Sequence, residues 1–169
     1  MLVTSCFRAQ SSNLRNLYRP PSILRSMATT SNEPPLGSTQ SYEAVVRPAD
    51  LASEIASDTT SDPFPRVLAT SRLIAFMEIA AARIMQPCLD PGQLSVGARL
   101  DVSHTAPTPV GGKVTAAAKF LGKVKKLYLF EVFARDEAGE VGRGTHARAI
   151  IDAAGLEDGA QRRLQAPVV

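Results

Sequence analysis

The chain has 169 residues, 44% of them hydrophobic and 21% charged, with a formal net charge of +3. That length supports one domain of ordinary size with a sizeable core. The charge is uneven: residues 1–32 hold Arg8, Arg15, Arg19 and Arg25 and no acid, whereas residues 33–169 hold 15 basic and all 16 acidic residues. The body is therefore nearly neutral and offers nucleic acid no electrostatic footprint.

The first nineteen residues, Met1 to Arg19, are rich in Arg and Ser, with apolar residues loosely spaced as on an amphipathic helix. That is the composition of a mitochondrial transit peptide; a disordered basic tail is the alternative. A start at Met27 instead yields a shorter, cytoplasmic form. No stretch reaches the roughly 18–20 apolar residues of a membrane span. The two cysteines, Cys6 and Cys88, form no disulfide framework, and a reducing compartment fits them.

Residues 28–40 are polar, with Pro and Gly, and read as a linker. Tyr42 to Arg47 predicts a short strand, and Pro48 to Ala56 a short helix opened by proline. Asp58 to Pro65 is a loop. A long buried helix follows, with Thr70 or Ser71 as its N-cap and Pro87 ending it. After Asp90-Pro-Gly92 the period becomes two, and Val96, Ala98, Leu100, Val102 and His104 are expected on one strand face. Val114–Val124 and Leu127–Asp136 predict a hairpin with Lys125-Lys126 near its tip. Asp136-Glu-Ala-Gly139 turns into a last strand, Val141 to Asp152. From Ala153 onward the tail shows no clear pattern and is expected to be frayed. One helix cannot cover such a sheet on both sides, so the sheet is expected to wrap the helix on one face.

Two features of this frame carry chemistry. Glu78 lies in the helix with Ile74, Ala75, Ala81 and Ala82 at helical spacing, so no ion pair forms along the helix. A carboxylate among apolar side chains is costly unless compensated, and such residues are functional candidates; the plain alternative is that Glu78 points to solvent. His104 ends a strand on its inward face, just before a loop rich in Pro and Gly. His146 lies in Gly142-Arg-Gly-Thr-His-Ala-Arg148. An inward histidine is more often a satisfied core residue than a catalyst.

Five segments in order shift that balance: Phe64 to Glu78, Leu89 to Gly97, His104 to Gly111, Ala134 to Gly139, and Gly144-Thr-His-Ala-Arg148. Together, across residues 42 to 152, they resemble the fluoroacetyl-CoA thioesterase-like branch of the hotdog-fold superfamily. The resemblance implies an α+β hotdog fold, a curved antiparallel sheet wrapped around one long helix. It divides the chain into a leader and linker (1–40), a hotdog domain (41–155) and a C-terminal tail (156–169).

It further implies an acyl-CoA thioesterase in which Thr70, Glu78 and His104 act together, with Phe64, Gly97 and Arg148 as substrate-binding positions. The implied assembly is a homodimer with sites at the subunit interface, so that His104 meets Glu78 across chains. Gly97 also reads as a bulge in a curved strand, and Arg148 also reads as a partner for an acid across the sheet. No cofactor and no metal is implied, because the two histidines and Cys88 lack ligand spacing.

Two departures matter. Ala147 stands where the family's motif commonly has an acid, and Ser61 stands where fluoroacetyl-selective members carry an aromatic. A short-chain or unusual acyl-CoA is therefore the expected substrate class. Two other readings fit the same fold: a non-catalytic acyl-CoA-binding module, and a hotdog hydratase or dehydratase.

Overall fold

The computed structural model describes residues 33–55 and 61–165. The leader, Met27 and Cys6 lie outside the described residues, as does part of the loop before the long helix. Strands β1 (Thr39–Val45), β2 (Gln93–His104), β3 (Lys113–Val124), β4 (Leu127–Asp136) and β5 (Gly139–Asp152) form one antiparallel sheet, ordered β1-β3-β4-β5-β2. Helix α1 (Thr70–Met85) packs on one face, and α2 (Ala153–Gln165) follows β5. This is the expected curved sheet with one long helix. No helix among the described residues is long and apolar enough to cross a membrane.

Helix α1 owes its place to one apolar stripe. Leu73, Phe76, Met77, Ala80, Ala81, Ile84 and Met85 are all buried, at the i, i+3, i+4, i+7 spacing of a single helical face. Opposite them the sheet presents Val114, Ala116, Ala118, Phe130, Val132 and Ala134. Alanines on both surfaces let helix and sheet approach closely, at the density protein interiors require. Off the stripe, Thr70 is exposed and Glu78 is half-buried, so both are free of core duty.

Several expectations shift. The segment Pro48–Glu54 forms two short 3-10 turns rather than one helix. The N-cap of α1 is Ala69, with no side-chain cap; Thr70 is the first helical residue, and its hydroxyl bonds elsewhere. Met85 is the last residue of α1, and Pro87 sits in the 3-10 turn Gln86–Cys88 that follows. The tail beyond Ala153 is helical. Its start is capped by Asp152, whose Oδ1 accepts the Gly155 N–H at 2.6 Å, an Asp cap at the third helical amide. None of α2 is buried, although Leu156, Ala160 and Leu164 recur at the i, i+4, i+8 spacing of one helical face.

Strand β2 carries the change that matters most. A bulge between Gly97 and Arg99 leaves Ala98 unpaired. Gly97 therefore lies opposite Arg148, and Leu100 opposite His146. Because paired residues share a face, Ser95 and Gly97, not Val96 and Ala98, join Leu100, Val102 and His104 on the helix side. Strict period-two counting cannot see a one-residue bulge.

Asp50 anchors the entry to α1. It is 1% exposed and accepts from Arg47 Nε at 3.0 Å, Arg47 Nη2 at 3.2 Å and the Arg47 backbone N–H at 3.0 Å. Arg72 Nε lies 3.6 Å from its Oδ1, and its own carbonyl accepts the Ala69 N–H. The bonds from Arg47 hold its carboxyl below the ordinary value of 3.8, against the upward push of burial. A depressed folded value contributes stability above the ordinary value, and that stability is lost as pH falls through the folded one. Asp50→Asn is thus expected to destabilise the fold by about 1–3 kcal/mol at neutral pH. In denaturant titrations, the stability gap between the variant and the native chain should narrow as pH falls below the ordinary value of 3.8; a gap that stays constant with falling pH contradicts this role.

Candidate active site

Two clusters bring chemistry-bearing side chains together, one at each end of a short run of α1. The first lies at the helix start. Because Thr70 does not cap α1, its hydroxyl is available, and Thr70 Oγ1 lies 3.0 Å from His104 Nδ1. His104 is the last residue of β2, so the strand end delivers the imidazole to the helix N-terminus. Its Nε2 is shielded from solvent, with no hydrogen-bond partner among the described residues. A buried polar atom left so costs about 1–3 kcal/mol, a cost tolerated more often where a site needs the atom.

The pair opens onto a cavity of about 330 Å³. Phe64, Pro65, Val67 and Leu68 line one side, and Thr105, Ala106 and Pro107 the other. Among the described residues, none of the lining side chains carries a fixed charge. Phe64 is half-exposed on this lining. The Pro- and Gly-rich loop after His104 thus forms a wall.

The second cluster surrounds Glu78, eight residues and about 12 Å of helical rise beyond Thr70. Glu78 is 36% exposed at its side chain, and its Oε1 lies 3.8 Å from both His146 Nε2 and Arg148 Nη1. Oε1 also fills the space where a Gly97 Cβ would stand. The glycine is needed here for close approach of the carboxylate, and it immediately precedes the bulge. Its two sequence readings coincide at one position.

Beneath the carboxylate, Arg148 is 5% exposed. Its Nε donates to Ser95 Oγ at 3.1 Å, its Nη2 to the Ser95 carbonyl at 2.6 Å, and its Nη1 to the Glu78 carbonyl at 3.3 Å and to His146 Nε2 at 3.0 Å. Burial pulls the arginine's pKa down, opposed by attraction to Glu78. Burial likewise lowers that of His146; the Arg99 carbonyl opposes this shift and the Arg148 charge adds to it. His146 is therefore neutral near pH 7.

Glu78 is thus not partnerless. Along the helix it has no cation, but across the sheet it meets two side chains of β5, about seventy residues away in sequence, beyond the reach of any helical-spacing count. Arg148 is buried under Gly97 rather than displayed at the surface, and it faces the carboxylate. Within the chain, the structure joins Thr70 to His104 and joins Glu78 to Gly97 and Arg148. Among the described residues, no hydrogen bond or ion pair links the two sets. Sequence reasoning noted His146 but did not place it beside Glu78, and it missed Ser95. The alternation of His146 with Arg148 on one strand face was the available signal for the first. The bulge hid the second.

Comparison with known proteins identifies the family and the fold. Residues 46–154 match the family model described as FlK: Fluoroacetyl-CoA-specific thioesterase. The chain is 42% identical over 88 residues to a fluoroacetyl-CoA thioesterase of Streptantibioticus cattleyicolor, covering 52% of this chain and 63% of that protein. It thus spans somewhat under two thirds of the curated relative it matches. A solved structure of the fluoroacetyl-CoA thioesterase FlK superposes with a TM-score of 0.68 at 33% identity, covering 78% of this chain and 97% of that one. A thioesterase superfamily member from Thermus thermophilus superposes at 0.67 with 26% identity, covering 78% and 93%. With the family model spanning most of the described fold and the hotdog architecture in place, the chain belongs to the fluoroacetyl-CoA-specific thioesterase family.

Proposed function

We propose that this protein is an acyl-CoA thioesterase that hydrolyses short-chain or unusual acyl-CoA esters as a homodimer. The observation that carries the reading is the Thr70–His104 pair at the mouth of an uncharged cavity, in a chain of a family named for acyl-CoA thioester hydrolysis. The cavity takes the acyl group, and the lack of fixed charge among its described lining residues favours an uncharged one.

Thioester hydrolysis needs a nucleophile at the carbonyl, a stabilised oxyanion and a leaving thiolate. Glu78 supplies the first, as general base toward water or by direct attack to give a transient anhydride. Thr70 fixes His104 through Nδ1, which leaves Nε2 to donate to the developing charge or to the thiolate. The N-terminus of α1, without a side-chain cap, and the backbone at Gly97 add donors near the reacting carbonyl.

The separation of Glu78 from the Thr70–His104 pair within one chain supports a site shared by two subunits. Strand β2 pairs only with β5 and is an edge strand of the sheet; it exposes Leu94, while α1 exposes Ile79. An unpaired edge with apolar flanks supports pairing with a second copy. That pairing brings Glu78 of one protomer to His104 of its partner. The leader's acid-free, Arg-rich composition supports mitochondrial import. Residues 1–32 fused to a fluorescent reporter should direct it to mitochondria; diffuse cytoplasmic signal would remove this part of the reading.

A thiol-release screen over acyl-CoA esters, including acetyl-, propionyl- and fluoroacetyl-CoA, tests the function. Turnover concentrated on short, uncharged acyl groups is expected. Tight binding of acyl-CoA with no free thiol from any ester would overturn it.

A further inference from the structure

His146 is a buried ionisable group that the proposed chemistry does not use. It is 2% exposed, and both ring nitrogens are committed. Nδ1 lies 3.0 Å from the Arg99 carbonyl, which can only accept, so Nδ1 carries the hydrogen. Nε2 lies 3.0 Å from Arg148 Nη1, which can only donate, so Nε2 presents its lone pair. Both neighbours select the same neutral tautomer. The Arg99 carbonyl comes from the residue that closes the β2 bulge, so the irregularity that lodges Glu78 against Gly97 also supplies this acceptor.

The consequence falls on Arg148. Its four hydrogen bonds go to Ser95 twice, to the Glu78 carbonyl and to His146, while its Nη1 stays 3.8 Å from Glu78 Oε1. A guanidinium free to choose closes on a carboxylate at about 2.8 Å, often bidentately. We propose that His146 is a positioning residue: by accepting from Arg148 Nη1 it keeps the guanidinium from closing on Glu78, and so leaves the carboxylate free beside Gly97. A core histidine that merely fills space has no reason to be matched in tautomer by two polar neighbours.

The proposal rests on the reading of Glu78 as the reacting carboxylate, but its geometric half does not need turnover to be tested. Crystal structures of the full chain with His146→Leu and with His146→Gln supply the first readout. Leucine removes the acceptor, and Arg148 Nη1 should close to about 2.8 Å from the Glu78 carboxylate. Glutamine can still accept through its amide oxygen, and the separation should stay near its present 3.8 Å. In the native chain, 15N spectra of labelled histidine at neutral pH should show His146 as the Nδ1–H neutral form.

Kinetics supply the second readout. With His146→Leu, kcat should fall by about 10–100-fold with KM nearly unchanged, and His146→Gln should recover most of the loss. An Arg148–Glu78 separation unmoved by His146→Leu overturns the proposal. So does a cationic or Nε2–H His146, or a kcat loss in both variants that tracks only their folded fraction. Closure in the leucine variant of a native chain that hydrolyses no acyl-CoA would uphold the positioning claim and remove the thioesterase reading.

Discussion

Glu78→Gln is expected to lower kcat by about 10²–10⁴-fold, the range that general-base or nucleophilic carboxylates supply. KM should change little, because the carboxylate acts on the carbonyl only as the transition state forms. The fold should survive. Glu78 is 36% exposed and its ion pair with Arg148 is a loose 3.8 Å, so the amide should cost within about 1 kcal/mol. Arg148 keeps its bonds to Ser95, His146 and the backbone carbonyl of residue 78. Thiol release measured beside thermal unfolding separates the two effects. A variant that stays folded and retains activity within a few-fold of the native chain removes Glu78 from the chemistry.

Gly97→Ala is the sharper case, since it leaves every reacting side chain chemically intact. A Cβ there collides with Glu78 Oε1 and presses on His146 Cε1 at 3.2 Å. Oε1 is the end of a flexible, half-exposed side chain and can move; His146 is locked by two hydrogen bonds and cannot. The carboxylate is therefore the part displaced. Alanine is no worse than glycine in a strand interior, so the melting temperature should shift by only a few degrees. Activity should fall by about 10²-fold, the scale of a misplaced reacting group. A folded Gly97→Ala protein with native turnover would show that the close approach of Glu78 to β2 is not needed.

What the sequence revealed and what it hid divide along physical lines. The helix and the four long strands were legible because burial imposes periods of 3.6 and two, and α1 and the β3–β4 hairpin obey them. The candidate residues were legible as types in an ordered set of motifs. Their grouping was not. Ala98 forms a bulge that shifts the inward face by one residue, so Ser95 and Gly97 replaced the expected Val96 and Ala98. The partners of Glu78 come from β5, across the sheet, where no local rule reaches. Thr70 or Ser71 is the N-cap that hydroxyl chemistry suggests; here Ala69 takes that place and the Thr70 hydroxyl serves His104 instead. Helix α2 buries nothing, so its sparse Leu156–Ala160–Leu164 stripe and its Asp152 cap are weak marks in the sequence.

The separation of Glu78 from Thr70–His104 within one chain makes shared sites the central claim. Mixing Glu78→Gln and His104→Ala chains, each inactive alone, tests it by subunit exchange. If each site takes His104 from one protomer and Glu78 from its partner, every mixed dimer regains one intact site, and an equimolar mixture should recover about a quarter of native activity. Exchange that is complete by mass spectrometry, with turnover no higher than either variant alone, would contradict the account.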